Sequence, residues 1–187
     1  MDFNIIEDGL FDCSNSLSRL SLCKAFTRDI AESISVNSNL ESLNMSHCVL
    51  DTVDLLNFFE SLVHIKILDL GYTLSLTDEC ILLISKTCVY LETLVLKGCV
   101  NLSDDSIIKL VGIKSLINLN CDFLAISALT ATELLRHDFH SLSFHSCSLL
   151  HNCWIVHFAK ECNLIKVRFN RAQILFIQAR MRLYDFY

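Results

Sequence analysis

One spacing recurs along this chain and is written most fully over residues 65–107. Leu91, Leu94, Leu96 and Cys99 form the frame L-x-x-L-x-L-x-x-C. Ser103-Asp104 and the apolar pair Ile107-Ile108 follow it. Ile65, Leu68 and Leu70 begin the preceding copy, which continues through Thr77-Asp78 to Ile81, Leu82, Ile84 and Cys88. With the first apolar residue of each copy as its origin, the frame starts at Leu17, Leu40, Ile65, Leu91, Leu116, Phe139 and Leu164. The spacings are 23, 25, 26, 25, 23 and 25 residues, and the positions three and five after each origin are apolar every time. A period of this length marks a repeat architecture, in which one unit cannot cover its own apolar face and must stack on its neighbours.

Alternation lasts for only three apolar positions, so each unit holds a short strand. Side chains three and five after the origin point into the core, and those two, four and six after it point outward. Apolar residues at helical spacing follow each strand, and the parallel strands need such crossovers. Helices are expected over Thr27–Val36, with Ile30, Ala31 and Ile34 at helical spacing, and over Asp51–Leu62, with Val53, Leu56, Phe59 and Leu62 and few charges. Thr77 and Ser103 are expected to cap helices that begin at Asp78 and Asp104. Two further helices are expected over Ser127–His137, with Leu129, Leu134 and Leu135, and over His151–Glu161. Proline is absent and there are four glycines, so Asn, Asp, Ser and Thr must make most of the turns through their own backbone.

The chain has 187 residues, 52% of them apolar and 19% charged, which suits one folded unit and excludes a disordered tail. No apolar run has the length of a membrane span, and the acidic start lacks the features of an export signal. Ten cysteines could form a disulfide framework, but their phase argues for core thiols. Cys48, Cys99 and Cys147 share the ninth place of the frame, Cys88 and Cys162 end helices, and Cys121 replaces a strand leucine. Reduced core thiols imply a cytoplasmic or nuclear protein. The net charge of −6 argues against direct nucleic-acid binding. Residues 1–12 carry four acids, whereas residues 163–187 carry Lys166, Arg168, Arg171, Arg180 and Arg182 against Asp185.

The stretch Leu91-Glu-Thr-Leu-Val-Leu-Lys-Gly-Cys99-Val-Asn-Leu-Ser-Asp104, with Cys88 ahead of it, resembles the cysteine-containing leucine-rich repeats of F-box/leucine-rich-repeat proteins. The resemblance runs from Leu17 to about Ala172 and is close only in the units that begin at Ile65 and Leu91. It implies an α/β leucine-rich-repeat solenoid, a horseshoe of about seven repeats with parallel strands on the concave face and helices on the convex face. Residues 1–16 are then an N-terminal cap, residues 17–172 the repeats, and residues 173–187 a C-terminal cap or docking segment. It also implies protein binding, often as the substrate-recognition part of a ubiquitin ligase. The 16 residues ahead of Leu17 are too few for an F-box. Similar F-box-free repeats resemble assembly factors and fixed subunits of larger machines, including the mitochondrial coupling-factor-B type.

The phase nominates a partner-binding set on the outward strand positions: Glu41, Asn44, His47, Asp69, Tyr72, Glu92, Lys97, Asn120, Asp122, Phe123 and His145. Tyr72 and Phe123 place large rings where the frame expects polar residues, as interface anchors do. Asp69 and Asp122, with Glu41 and Glu92 near them, suggest an acidic stripe for a basic partner segment. His145, Cys147, His151, Cys153, His157 and Cys162 are dense enough to invoke zinc, but their phase sends them in different directions. No phosphate loop, nucleophile elbow or zinc-protease helix is present. The expectation is a non-enzymatic protein-interaction module with no cofactor, no metal and no indicated homo-oligomer, one form of which is an adaptor in ubiquitin-dependent turnover. The alternative is a structural or assembly subunit of a larger complex.

Overall fold

The computed structural model describes residues 3–4, 18–24, 27–35, 39–150 and 167–168. The expected helix at His151–Glu161, the closing segment 173–187, most of the leading segment 1–16 and the cysteines at 153 and 162 lie outside the described residues.

Strands and helices alternate. The strands are β1 (Phe3–Asn4), β2 (Arg19–Ser21), β3 (Ser42–Asn44), β4 (Ile67–Asp69), β5 (Thr93–Val95), β6 (Asn118–Asn120), β7 (Ser141–Ser143) and β8 (Val167–Arg168). They form one eight-stranded sheet in chain order, and every pairing is parallel. The helices α1 (Arg28–Ser35), α2 (Thr52–Phe59), α3 (Asp78–Thr87), α4 (Asp104–Lys109) and α5 (Ala128–Leu135) are the crossovers. A 3-10 turn, Leu110–Gly112, prolongs α4.

The register is the frame itself. Leu20 pairs with Leu43, Leu43 with Leu68, Leu68 with Leu94, Leu94 with Leu119, and Leu119 with Leu142. Every one of these leucines is buried, and so is the row two residues on: Leu22, Met45, Leu70, Leu96, Cys121 and Phe144. A one-residue slip would turn both rows to solvent, so burial fixes the register. The helices close the core with Leu55, Phe58 and Phe59 from α2, Cys80, Ile81 and Ile84 from α3, Ile107 from α4, and Ala131 and Leu134 from α5. Removing any one such leucine costs about 2–5 kcal/mol.

Two local expectations change. Val53, Leu82 and Leu129 point outward, because the buried faces of their helices run through Leu55/Phe58/Phe59, Ile81/Ile84 and Ala131/Leu134. Thr77 and Ser103 occupy N-cap positions but make no side-chain cap bond. The Ser103 hydroxyl donates instead to Asp78 Oδ2 at 2.6 Å, and its N–H donates to Asp78 Oδ1 at 2.8 Å. Burial alone would raise the Asp78 carboxyl, but the bonds from Ser103 and Ser106 outweigh it and hold the group below its usual range. Asp104 repeats the bond one unit on by accepting from the Ser127 N–H at 3.0 Å. Asp51 and Ser127 cap α2 and α5 in the ordinary way.

The ninth position carries a hydrogen bond as well as bulk. The thiol of Cys48 donates to the Leu22 carbonyl at 3.4 Å, Cys99 to Leu70 at 3.1 Å, and Cys147 to Cys121 at 3.1 Å. Thr73 makes the same bond to the Met45 carbonyl at 3.3 Å. Thr73 therefore does what the cysteines do: in four units the ninth residue is a small donor that ties its unit to the one before, whereas Leu124 fills the position with bulk alone. Burial pushes the thiols of Cys88, Cys99 and Cys147 up to about 11, and raises that of Cys121 well above its ordinary value. These are protonated thiols at neutral pH, not thiolate nucleophiles.

Candidate protein-binding edge

Each strand leaves the sheet through the same turn. In five successive units the ninth-position N–H donates to the carbonyl of the sixth, as in Cys48 to Met45, Thr73 to Leu70, Cys99 to Leu96, Leu124 to Cys121 and Cys147 to Phe144. The eighth residue of these turns has positive φ: His47 at 59°, Tyr72 at 58°, Gly98 at 71°, Phe123 at 62° and Ser146 at 58°. That is the third position of a type II turn, where glycine is the residue without strain. A tyrosine and a phenylalanine in this conformation are unusual and carry roughly 1 kcal/mol or more of strain each.

The strain sets the rings side by side along the C-terminal ends of the strands. His47 stacks on Tyr72 with centroids 4.7 Å apart and planes 14° from parallel. Tyr72 meets Phe123 at 6.5 Å although a whole unit lies between the two. Gly98 lies between them, and a Cβ there would overlap the Tyr72 ring. The missing side chain lets the rings close over that unit. Phe123 meets His145 edge-on at 5.6 Å. The Lys97 ammonium stands 5.7 Å from the Tyr72 ring centre and 5.5 Å from that of Phe123, within cation–π range of both. Phe123 is 41% exposed. Two residues further along the chain Val49, Leu74 and Val100 are also exposed, so an aliphatic row accompanies the aromatic one. The phase places both rows in the sequence; the left-handed turn that aims the rings is announced only by Gly98.

The nominated residues therefore separate into three groups. His47, Tyr72, Lys97, Phe123 and His145 meet on this edge. Asn44, Asp69 and Asn120 face outward but hold the turns: each Oδ1 accepts the N–H two residues on, from Ser46, Gly71 and Asp122, at 2.9 Å in every case. Asp122 is only 9% exposed, and its Oδ1 accepts from the Ser143 hydroxyl at 2.6 Å and the His145 N–H at 2.8 Å. Glu41 and Glu92 lie at the opposite ends of the strands. Glu41 pairs there with Lys66 at 2.8 Å, and the Lys66 bond lowers its carboxyl from the ordinary value. A shallow recess of about 350 Å³, lined by Asn39, Glu41, His64, Lys66 and Tyr90, lies beside that pair. The four acids do not form one stripe.

Of the His/Cys group, Cys147 is buried with its thiol on the Cys121 carbonyl, and His145 lies beside Phe123 and Ser146. The remaining members lie outside the described residues. Among the described residues no three metal-ligating side chains come together, Cys23, Cys80, Cys88, Cys99, Cys121 and Cys147 are free thiols, and no helix is long and apolar enough to cross a membrane.

A single parallel sheet whose strands alternate with helices, with one register kept from unit to unit, is a leucine-rich-repeat-like α/β fold. The fold is similar to that of a chain in the crystal structure of the Rad7 and Elc1 complex in yeast. The TM-score is 0.59 and the sequence identity 17%, over 81% of this chain and 49% of that one. This chain thus spans about half the length of that neighbour. No protein-family model matches the sequence, and no curated protein matches it.

Proposed function

We propose that this protein is a non-enzymatic interaction module that binds a partner protein along the C-terminal edge and outward face of its sheet. The observation that carries this reading is the ring row: Tyr72 and Phe123 sit in strained turns, close over Gly98 and remain accessible. Strain held in two large side chains, Phe123 exposed and Tyr72 half-buried, has a reason if those side chains are the contact. The architecture in this reading is a horseshoe of about seven cysteine-containing leucine-rich repeats over residues 17–172, between caps at 1–16 and 173–187, with the ring row on its concave side. The buried free thiols of Cys80, Cys88, Cys99, Cys121 and Cys147 support a reducing compartment, cytoplasmic or nuclear. The likeness to a chain of a two-protein complex supports a protein partner, and the resemblance to F-box/leucine-rich-repeat proteins supports an adaptor role in ubiquitin-dependent turnover.

A second reading has its own observation. Val53 and Leu129 are exposed on α2 and α5, away from the sheet. A structural or assembly subunit held through its helices would use them. Affinity capture from the native cell with quantitative mass spectrometry separates the two. The first reading expects the main partner to be lost from a Tyr72→Ala/Phe123→Ala variant and kept by Val53→Asp/Leu129→Asp. The reverse result would establish the second reading and overturn the first.

A further inference from the structure

We propose that the edge takes an acidic segment of its partner, in which an aspartate or glutamate side chain sits on Lys97 beside an apolar or aromatic residue that packs on Tyr72 and Phe123. This rests on the protein-binding reading and specifies its chemistry. The Lys97 ammonium lies over both rings, so no partner can cover the rings without covering the charge. Among the described residues the ion pairs are Arg28 with Glu32 and Asp54, Lys66 with Glu41, and Arg136 with Glu133; none involves Lys97. An ammonium taken out of water without a counter-charge is strongly disfavoured, so the partner must bring the anion.

Among the described residues no carboxylate stands within ion-pair distance of Lys97. Asp69 directs its Oδ1 to the Gly71 N–H. Asp122, the one acid among the described sixth and seventh positions after each origin, is buried and bonded to Ser143 and His145. The same positions hold Lys24 and the rings of His47 and His145, so the edge carries lysines and rings although the whole chain carries −6. The remaining charges act at a distance and are screened beyond about 10 Å at 0.1 M salt, whereas a carboxylate on Lys97 is in contact. A basic segment would place like charges together here. A nucleic-acid strand stacks on rings too, but it needs a continuous cationic track, and among the described residues one ammonium stands between the rings. A single carboxylate beside apolar side chains matches Lys97, the rings and the exposed row of Val49, Leu74 and Val100.

The test is a random-peptide display selection on the immobilised full-length chain and on its Lys97→Glu, Lys97→Gln and Phe123→Ala variants, all shown by circular dichroism to be folded. The native chain should enrich peptides with Asp or Glu next to an aromatic residue or leucine. Synthesised winners should bind Lys97→Gln about tenfold or more weakly, as expected for loss of a charge-assisted bond. Lys97→Glu should select Lys or Arg at the same place in the motif. Winners that need Phe123 but ignore the charge at position 97 would overturn the acidic assignment and leave the protein-binding reading standing. Winners indifferent to both residues, or a selection that yields none needing Phe123, would overturn both. Displacement of the winners by a single-stranded oligonucleotide that binds more tightly would overturn the acidic-segment proposal in favour of nucleic acid.

Discussion

The Tyr72 ring occupies the space that a side chain at Gly98 would fill. Gly98 also has φ of 71°, so two independent costs meet at one position. Gly98→Ala should destabilise the fold by about 1–3 kcal/mol, from the positive φ together with displacement of the ring. Urea denaturation of the single variants and of Gly98→Ala/Tyr72→Ala separates the terms. The double variant should recover part of the loss, because removing the ring relieves the overlap and leaves only the φ penalty.

The Cys99 thiol and the Leu70 carbonyl make a second inter-unit bond that can be tested by shape. Cys99→Thr keeps a donor, as Thr73 does one unit earlier, whereas Cys99→Val keeps the branched shape without one. Threonine should be the more stable of the two by roughly 1 kcal/mol, measured by chemical denaturation. Equal stability would mean that the ninth position selects for volume alone.

This bond also marks where sequence reasoning ran short. The register of the sheet was legible because leucines at fixed spacing must share a face, and α3 lies where Thr77-Asp78 and its apolar run put it. Cysteine read only as a small apolar residue, since a thiol donor becomes visible when its acceptor does. Ser103 holds the N-cap position assigned to it, but its side chain turns to Asp78, which lies a whole unit away in sequence and so was not legible. Tyr72 and Phe123 stood out by type, but nothing in a tyrosine or phenylalanine announces positive φ, so their convergence over Gly98 was not legible. The acidic stripe failed for the same reason: a sequence position gives a face, not the partner that an Asp already holds.

Buried thiols make stability fall in alkali. The folded thiols of Cys88, Cys99 and Cys147 titrate near about 11, above the ordinary 9.0 that they regain on unfolding. The unfolded chain therefore loses its protons first. Stability is fully present below about pH 9 and declines as pH rises toward about 11. Urea midpoints measured across that window should drop, and Cys99→Thr should flatten the decline. Iodoacetamide at neutral pH should label Cys23 in the native state and spare Cys48, Cys80, Cys88, Cys99, Cys121 and Cys147.

Asp122 should behave as a structural residue. Asp122→Ala leaves the Ser143 hydroxyl and the His145 N–H without their acceptor and should cost about 1–3 kcal/mol in denaturation experiments. Phe123→Ala, at an exposed neighbour, should have a much smaller effect on stability and a larger one on partner affinity. A stable Asp122→Ala protein that had lost only binding would contradict the internal role given to this carboxylate.

The central claim is that the partner lies along the C-terminal ends of the strands. Hydrogen–deuterium exchange on the complex with the captured partner tests it most directly. The account expects new protection in the turns at residues 45–48, 70–73, 96–99 and 121–124, with little change on the outer faces of α2, α3 and α5. Protection confined to those helices, with the turns exchanging as in the free protein, would contradict it.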